Sequence, residues 1–74
     1  MLKGVRGGIL RRIQPISIHG QVSWDIAFVY DDDPEEQLHG ARVAPEAASR
    51  NLQAGDRVEL EFLLGQIVRV TRTG

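Results

Sequence analysis

The chain has 74 residues, no cysteine and a net charge of −1, with nine Lys/Arg against ten Asp/Glu. This predicts a single small domain over residues 1–74, near the lower size at which one core holds without a staple, and it excludes disulfides, thiolate metal sites and thiol catalysis. No apolar stretch is long enough for a signal peptide or a membrane span, so a cytoplasmic protein with no membrane partner is expected.

Strand signals dominate in chain order. "GGILRRI", Gly7 to Ile13, mixes branched apolar residues with paired arginines, and Pro15 then marks a strand end, a bulge or an edge, because proline cannot donate to a ladder. His19-Gly20 divides "ISIHGQVSW" as a tight turn. "VSWDIAFVY" alternates, with Val22, Trp24, Ile26, Phe28 and Tyr30 on one face, read as the core face, and Ser23, Asp25, Ala27 and Val29 on the other. "DDDPEEQ" is a loop, since like charges and a proline do not suit a sheet. "LHGARVA" is a short strand with Ala41 and Val43 inward and Arg42 outward.

"PEAASRNLQAG" is the one helical signal. Pro45 suits the first helical position, Glu46 meets the positive end of the dipole, Leu52 anchors the element and Gly55 supplies a left-handed stop. In "DRVELEFLL", Val58, Leu60, Phe62 and Leu64 face the core; Gly65 begins a reversal, and "QIVRVTR" returns with Val68 and Val70 inward and Arg69 outward. Ile67 falls on the outer face in that register, which points to burial on both sides or a bulge.

Strand, strand, strand, short helix, strand, strand is the order of the five-stranded OB-like Greek-key barrel, with its helix between strands three and four. An SH3-like barrel is the structural rival. At the residue level, "LQAGDRVELEF" followed by "GQIVRVTR" resembles the C-terminal half of bacterial translation initiation factor one, a family of S1-type OB domains. In that family a Gly-Asp pair opens strand four and Gly-x-Ile-Val forms strand five; Gly55-Asp56 and Gly65-Gln66-Ile67-Val68 match, and "GGILRRIQP" is similar to the first strand. The resemblance implies an OB barrel with RNA or the ribosome as partner. The family is basic and has a longer connection between strands four and five, which here shrinks to Leu64-Gly65.

The residues themselves argue against catalysis. His19 and His39 both adjoin glycines and read as turn or surface histidines, Ser17, Ser23 and Ser49 lack a nucleophile context, and Asp31, Asp32, Asp33, Glu35 and Glu36 lack the ligand spacing of a calcium loop. No cofactor, metal or small-molecule substrate is implied. Charge is segregated instead: residues 1–13 hold Lys3, Arg6, Arg11 and Arg12 without an acid, and residues 25–36 hold Asp25 and the loop acids without a base. The expected function is a non-catalytic binding module for RNA or a ribonucleoprotein, using Arg11, Arg12, Arg42, Arg69 and Arg72 on a basic barrel face. Arg11 and Arg12 are neighbours in one strand and point to opposite faces unless a bulge or a strand end intervenes. The competing expectation is protein association, as a homodimer or with another protein, through Ile16, Ile18, Val29 and Ile67.

Overall fold

The computed structural model describes residues 3–73, with Lys3 described by its backbone alone. Five strands form one antiparallel sheet: β1 (Lys3–Ile18), β2 (Gln21–Tyr30), β3 (His39–Val43), β4 (Arg57–Leu63) and β5 (Gln66–Arg72), in the order β3-β2-β1-β4-β5. β1 is the central strand. Its first half, Lys3 to Ile9, pairs with β4, while Gly8 to Ile18 pairs with β2. The sheet is not closed: β3 and β5 are its two ends and no ladder joins them.

Local chemistry explains the elements. Both two-residue turns, His19-Gly20 and Leu64-Gly65, place both residues at positive φ, the pattern whose twist suits a tight antiparallel hairpin. β1 runs through Pro15 without a break. Beyond Ile9 it has β2 as its only ladder partner, so the proline occupies an edge, where its missing N–H removes no bond on the open side.

The register slips once in β1, between Leu10 and Arg12, leaving Arg11 as the unpaired extra residue. That bulge lets the neighbouring arginines Arg11 and Arg12 both reach solvent. A second slip, opposite Glu61 and Phe62, leaves Val68 unpaired in β5. The bulge inverts the expected register there: Ile67 packs against the core and Val68 is exposed. Leu64, expected in the core, sits exposed in the turn itself.

Leu10, Ile26, Phe28, Val43, Leu52, Val58, Leu60 and Val70 form the buried cluster. Burial of each such side chain stabilises the fold by about 1.5–3 kcal/mol relative to exposure. On β2 the alternating face predicted as core is fully buried only in its middle. Ile26 and Phe28 are buried, Trp24 and Tyr30 are half-buried, and Val22, beyond the end of β3, is exposed. The opposite face is not free either, since Ala27 and Val29 are buried.

The helix expected between strands three and four is a single 3-10 turn, Pro45–Ala47. Ala44, at the cap position, makes no side-chain capping bond, and Ala48 is already extended. The next backbone groups are taken by β5: Ala48 bridges Val70 in parallel, the Ser49 N–H donates to the Val70 carbonyl, and the Arg72 N–H donates to Ser49 Oγ. Two turns of isolated helix nucleate poorly, so edge bonds to a formed strand win. Leu52 still anchors the segment in the core. Among the described residues no helix is long and apolar enough to cross a membrane.

Gly8 lies where β1 pairs with both β2 and β4, Gly7 just before it pairs with β4 alone, and their surroundings differ. A Cβ at Gly8 would stand 2.7 Å from the Val29 carbonyl oxygen, which is backbone, whereas one at Gly7 would meet the side chain of Asp31. Gly8→Ala is therefore expected to destabilise by about 1–3 kcal/mol, as overpacking does. Gly7→Ala is expected to cost clearly less, because the Asp31 carboxylate can swing away. Urea unfolding of the two variants checks this, and equal losses would contradict it.

Candidate functional site

The five arginines expected on a basic face lie on three strands, and most are neutralised locally. Arg11 contacts Glu36 at 2.5 Å, Arg69 lies 3.7 Å from Glu61, and Arg72 lies 3.2 Å from Asp56. Arg72 also donates to the Asn51 carbonyl. Asp56 in turn accepts the Gln53 N–H at 2.8 Å, and the Gly55 N–H donates to the Leu10 carbonyl at 2.6 Å. The Gly55-Asp56 pair thus docks the entry to β4 against β1, and Arg72 braces that turn. Arg12 and Arg42 are exposed, opposite Ala27 and Asp25 of β2 respectively, and have no ion-pair partner among the described residues.

The four apolar residues weighed as a protein-docking set are not gathered together. Ile16 and Ile18 are half-exposed on the β1–β2 hairpin, Val29 is buried and Ile67 faces the core. The histidines are also separated: His19 is in the hairpin turn and His39 begins β3 beside Phe28. Seven strand residues, Gln21 to Ala27, lie between their levels, which is eight rises or about 27 Å. Among the described residues no three His, Asp or Glu side chains are grouped to hold a metal ion.

What the fold does assemble is an aromatic group at one end of the sheet. Phe28 and His39 stack with ring centres 5.7 Å apart and planes 22° apart, Tyr30 lies 4.7 Å from His39 and 5.3 Å from Phe28, and Phe62 of β4 is 6.5 Å from Tyr30. These rings line a cleft of about 460 Å³ between the unjoined ends of the sheet, whose rim includes Arg42 of β3 and Gln66 of β5. The other side of the Tyr30 environment holds Arg6, with its guanidinium carbon 3.5 Å from the ring centre. Neither His39 nor Arg6 stood out as part of a site in the sequence. Alternation put Phe28 and Tyr30 on one face, but the cross-strand pairing Phe28–His39 that adds the imidazole depends on register.

The acidic segment has its own structure. Asp33 carboxylate oxygens accept the N–H groups of Glu35 and Gln37, each at 3.0 Å, the Glu36 N–H donates to the Asp33 carbonyl at 3.1 Å, and the Asp31 N–H donates to the Gly7 carbonyl at 3.2 Å. The Gln37 and then the Glu35 N–H bonds favour the ionised carboxylate and hold the Asp33 pKa below its ordinary value. Asp32 meets Arg6 at 3.1 Å, while Glu36 meets Arg11. The loop lies along the outer side of β1 and β2, where Ile9, Val29, Pro34 and Arg57 line a shallow depression. It is not a free hairpin tip.

No protein-family model, curated protein or solved structure matches the chain.

Because the folded pKa of Asp33 is lowered, its contribution to loop order is present above the unfolded value and is lost as pH falls through the folded one. The amide signals of Glu35 and Gln37 are expected to move together in an NMR titration from neutral pH into the acid range, at a midpoint below that of an ordinary aspartate. Asp33→Asn should abolish that transition; its persistence would assign the effect to another group.

Proposed function

We propose that the chain is a non-catalytic binding module of OB type that takes single-stranded RNA across the aromatic cleft between β3 and β5. The observation that carries this reading is the half-buried group Tyr30, His39 and Phe62, packed over the buried Phe28 ring, around one open cleft with Arg42 at its rim. Single-strand binders combine ring faces for bases with cations for the backbone, and OB domains place this chemistry on strands two and three and the neighbouring loops. The OB reading, rather than an SH3-like one, is supported by a central β1 that pairs with both β2 and β4 and by β3 and β5 lining the same cleft. In this version Arg42 and Arg12 supply backbone contacts, and Arg69 and Arg72 serve the fold.

A labelled single-stranded oligoribonucleotide, titrated at low salt by fluorescence anisotropy, tests the reading. Tyr30→Leu keeps an apolar side chain and removes a stacking face, and it is expected to weaken binding about tenfold, within the ~1–3 kcal/mol seen per stacked base. Absence of binding at low salt, or unchanged affinity in the variant, would reject it.

One observation favours a second reading, association through protein surfaces. The hairpin from Ile13 to Trp24 carries no Asp, Glu, Lys or Arg, and its tip extends beyond the reach of β3 and β4. Light scattering should then find a dimer that Ile18→Asp dissociates, and a strict monomer would exclude self-association by this route.

A further inference from the structure

We propose that Arg6 and Arg11 are phosphate-binding residues kept occupied by the loop Asp31–Gln37, whose carboxylates stand in for the nucleic-acid backbone. The inference rests on the RNA-binding reading and adds two contact residues and a specificity device to it.

The charge segregation is the starting point. An acid-free first strand and a base-free acidic segment are brought side by side, joined by Arg6–Asp32 at 3.1 Å and Arg11–Glu36 at 2.5 Å. A carboxylate on a guanidinium makes the same charge-assisted contact as a phosphate oxygen. Arg6 does more than pair: it sits over the Tyr30 ring, 3.5 Å from its centre, where a base would stack. A phosphate that draws Arg6 away from Asp32 would therefore free a stacking face and gain a cation in one movement.

The contacts are suited to exchange. All four side chains are substantially exposed, at 48% and 70% for Arg6 and Asp32 and 47% and 62% for Arg11 and Glu36. Exposed pairs of this kind are weak and salt-sensitive. The loop does not depend on them for its own shape, because Asp33 holds the Glu35 and Gln37 amides independently. Displacing two carboxylates at once requires several phosphates on one strand, so the device favours a polyanion over a free nucleotide.

Affinity for a labelled single-stranded oligouridylate at low salt, compared across four proteins, tests this. Relative to wild type, Asp32→Asn/Glu36→Gln should tighten binding about three- to tenfold. Asp31→Asn/Glu35→Gln removes the same charge from the same loop without breaking either ion pair, and should change affinity less than about twofold. Arg6→Gln/Arg11→Gln should weaken binding and reduce the slope of log affinity against log salt by about 1.4, the value for two single-strand phosphate contacts. Equal gains in the two acidic-loop variants, or no gain in the first, would overturn the proposal while leaving RNA binding in place. Absence of binding by all four proteins would overturn both. In the wild-type protein, saturating RNA should also shift the Arg6 and Arg11 side-chain N–H signals and the Asp32 and Glu36 carboxyl signals in NMR; unchanged signals in the bound state would overturn the proposal.

Discussion

The structure depends on β1 being paired on both sides at Gly8 and Ile9 and changing its register immediately afterwards. Gly8 faces Tyr30 on one side and Val58 on the other, so β2 and β4 meet through this short stretch. Close approach of the Val29 carbonyl leaves no room for a side chain there. Two residues later Leu10 is fully buried, its N–H donates to the Asp56 carbonyl at 2.9 Å, and its carbonyl accepts from Gly55. The extra residue Arg11 then bends the strand and releases its second half to pair with β2 alone. The two halves of the sheet are organised around this pivot.

The same pivot distributes the aromatic and charged side chains. On the inner side it brings Tyr30 of β2 close to Phe62 of β4, which encloses the aromatic cleft together with His39. On that same face it sets Arg6, opposite Leu60, over the Tyr30 ring, while the extra residue Arg11 reaches the loop that leaves β2. A nearly neutral protein thus keeps cations near half-buried rings without presenting a broad basic surface. The ion pairs that join Arg6 and Arg11 to the loop are exposed, and exposed pairs of this kind are weak.

How much was legible in the sequence varied with the range of the interaction. The alternation in "VSWDIAFVY", the tight turns at His19-Gly20 and Gly65, and the edge or bulge at Pro15 and Arg11-Arg12 are local, and each is recognisable in the fold. Ile67 announced its bulge by breaking the alternation. The segment from Pro45 to Gly55 misled because its composition favours a helix, while the backbone bonds that decide its shape come from Val70 and Arg72, more than twenty positions away. Arg69 and Arg72 were readable as cations but not as braces, since Glu61 and Asp56 reach them only through the β4–β5 pairing and the packed turn.

Strand-rich character, five strands, the hairpin turns and the separation of basic and acidic segments were all readable along the chain. These follow from side-chain periodicity and turn chemistry, which act over a few residues. Which arginines meet carboxylates, the joining of His39 to Phe28 and Tyr30, and the seating of the acidic loop on Arg6 and Arg11 came from long-range packing. The Arg6–Asp32 contact joins residues 26 positions apart. No local pattern encodes such a separation; strand register and the β1 bulge at Arg11 set it.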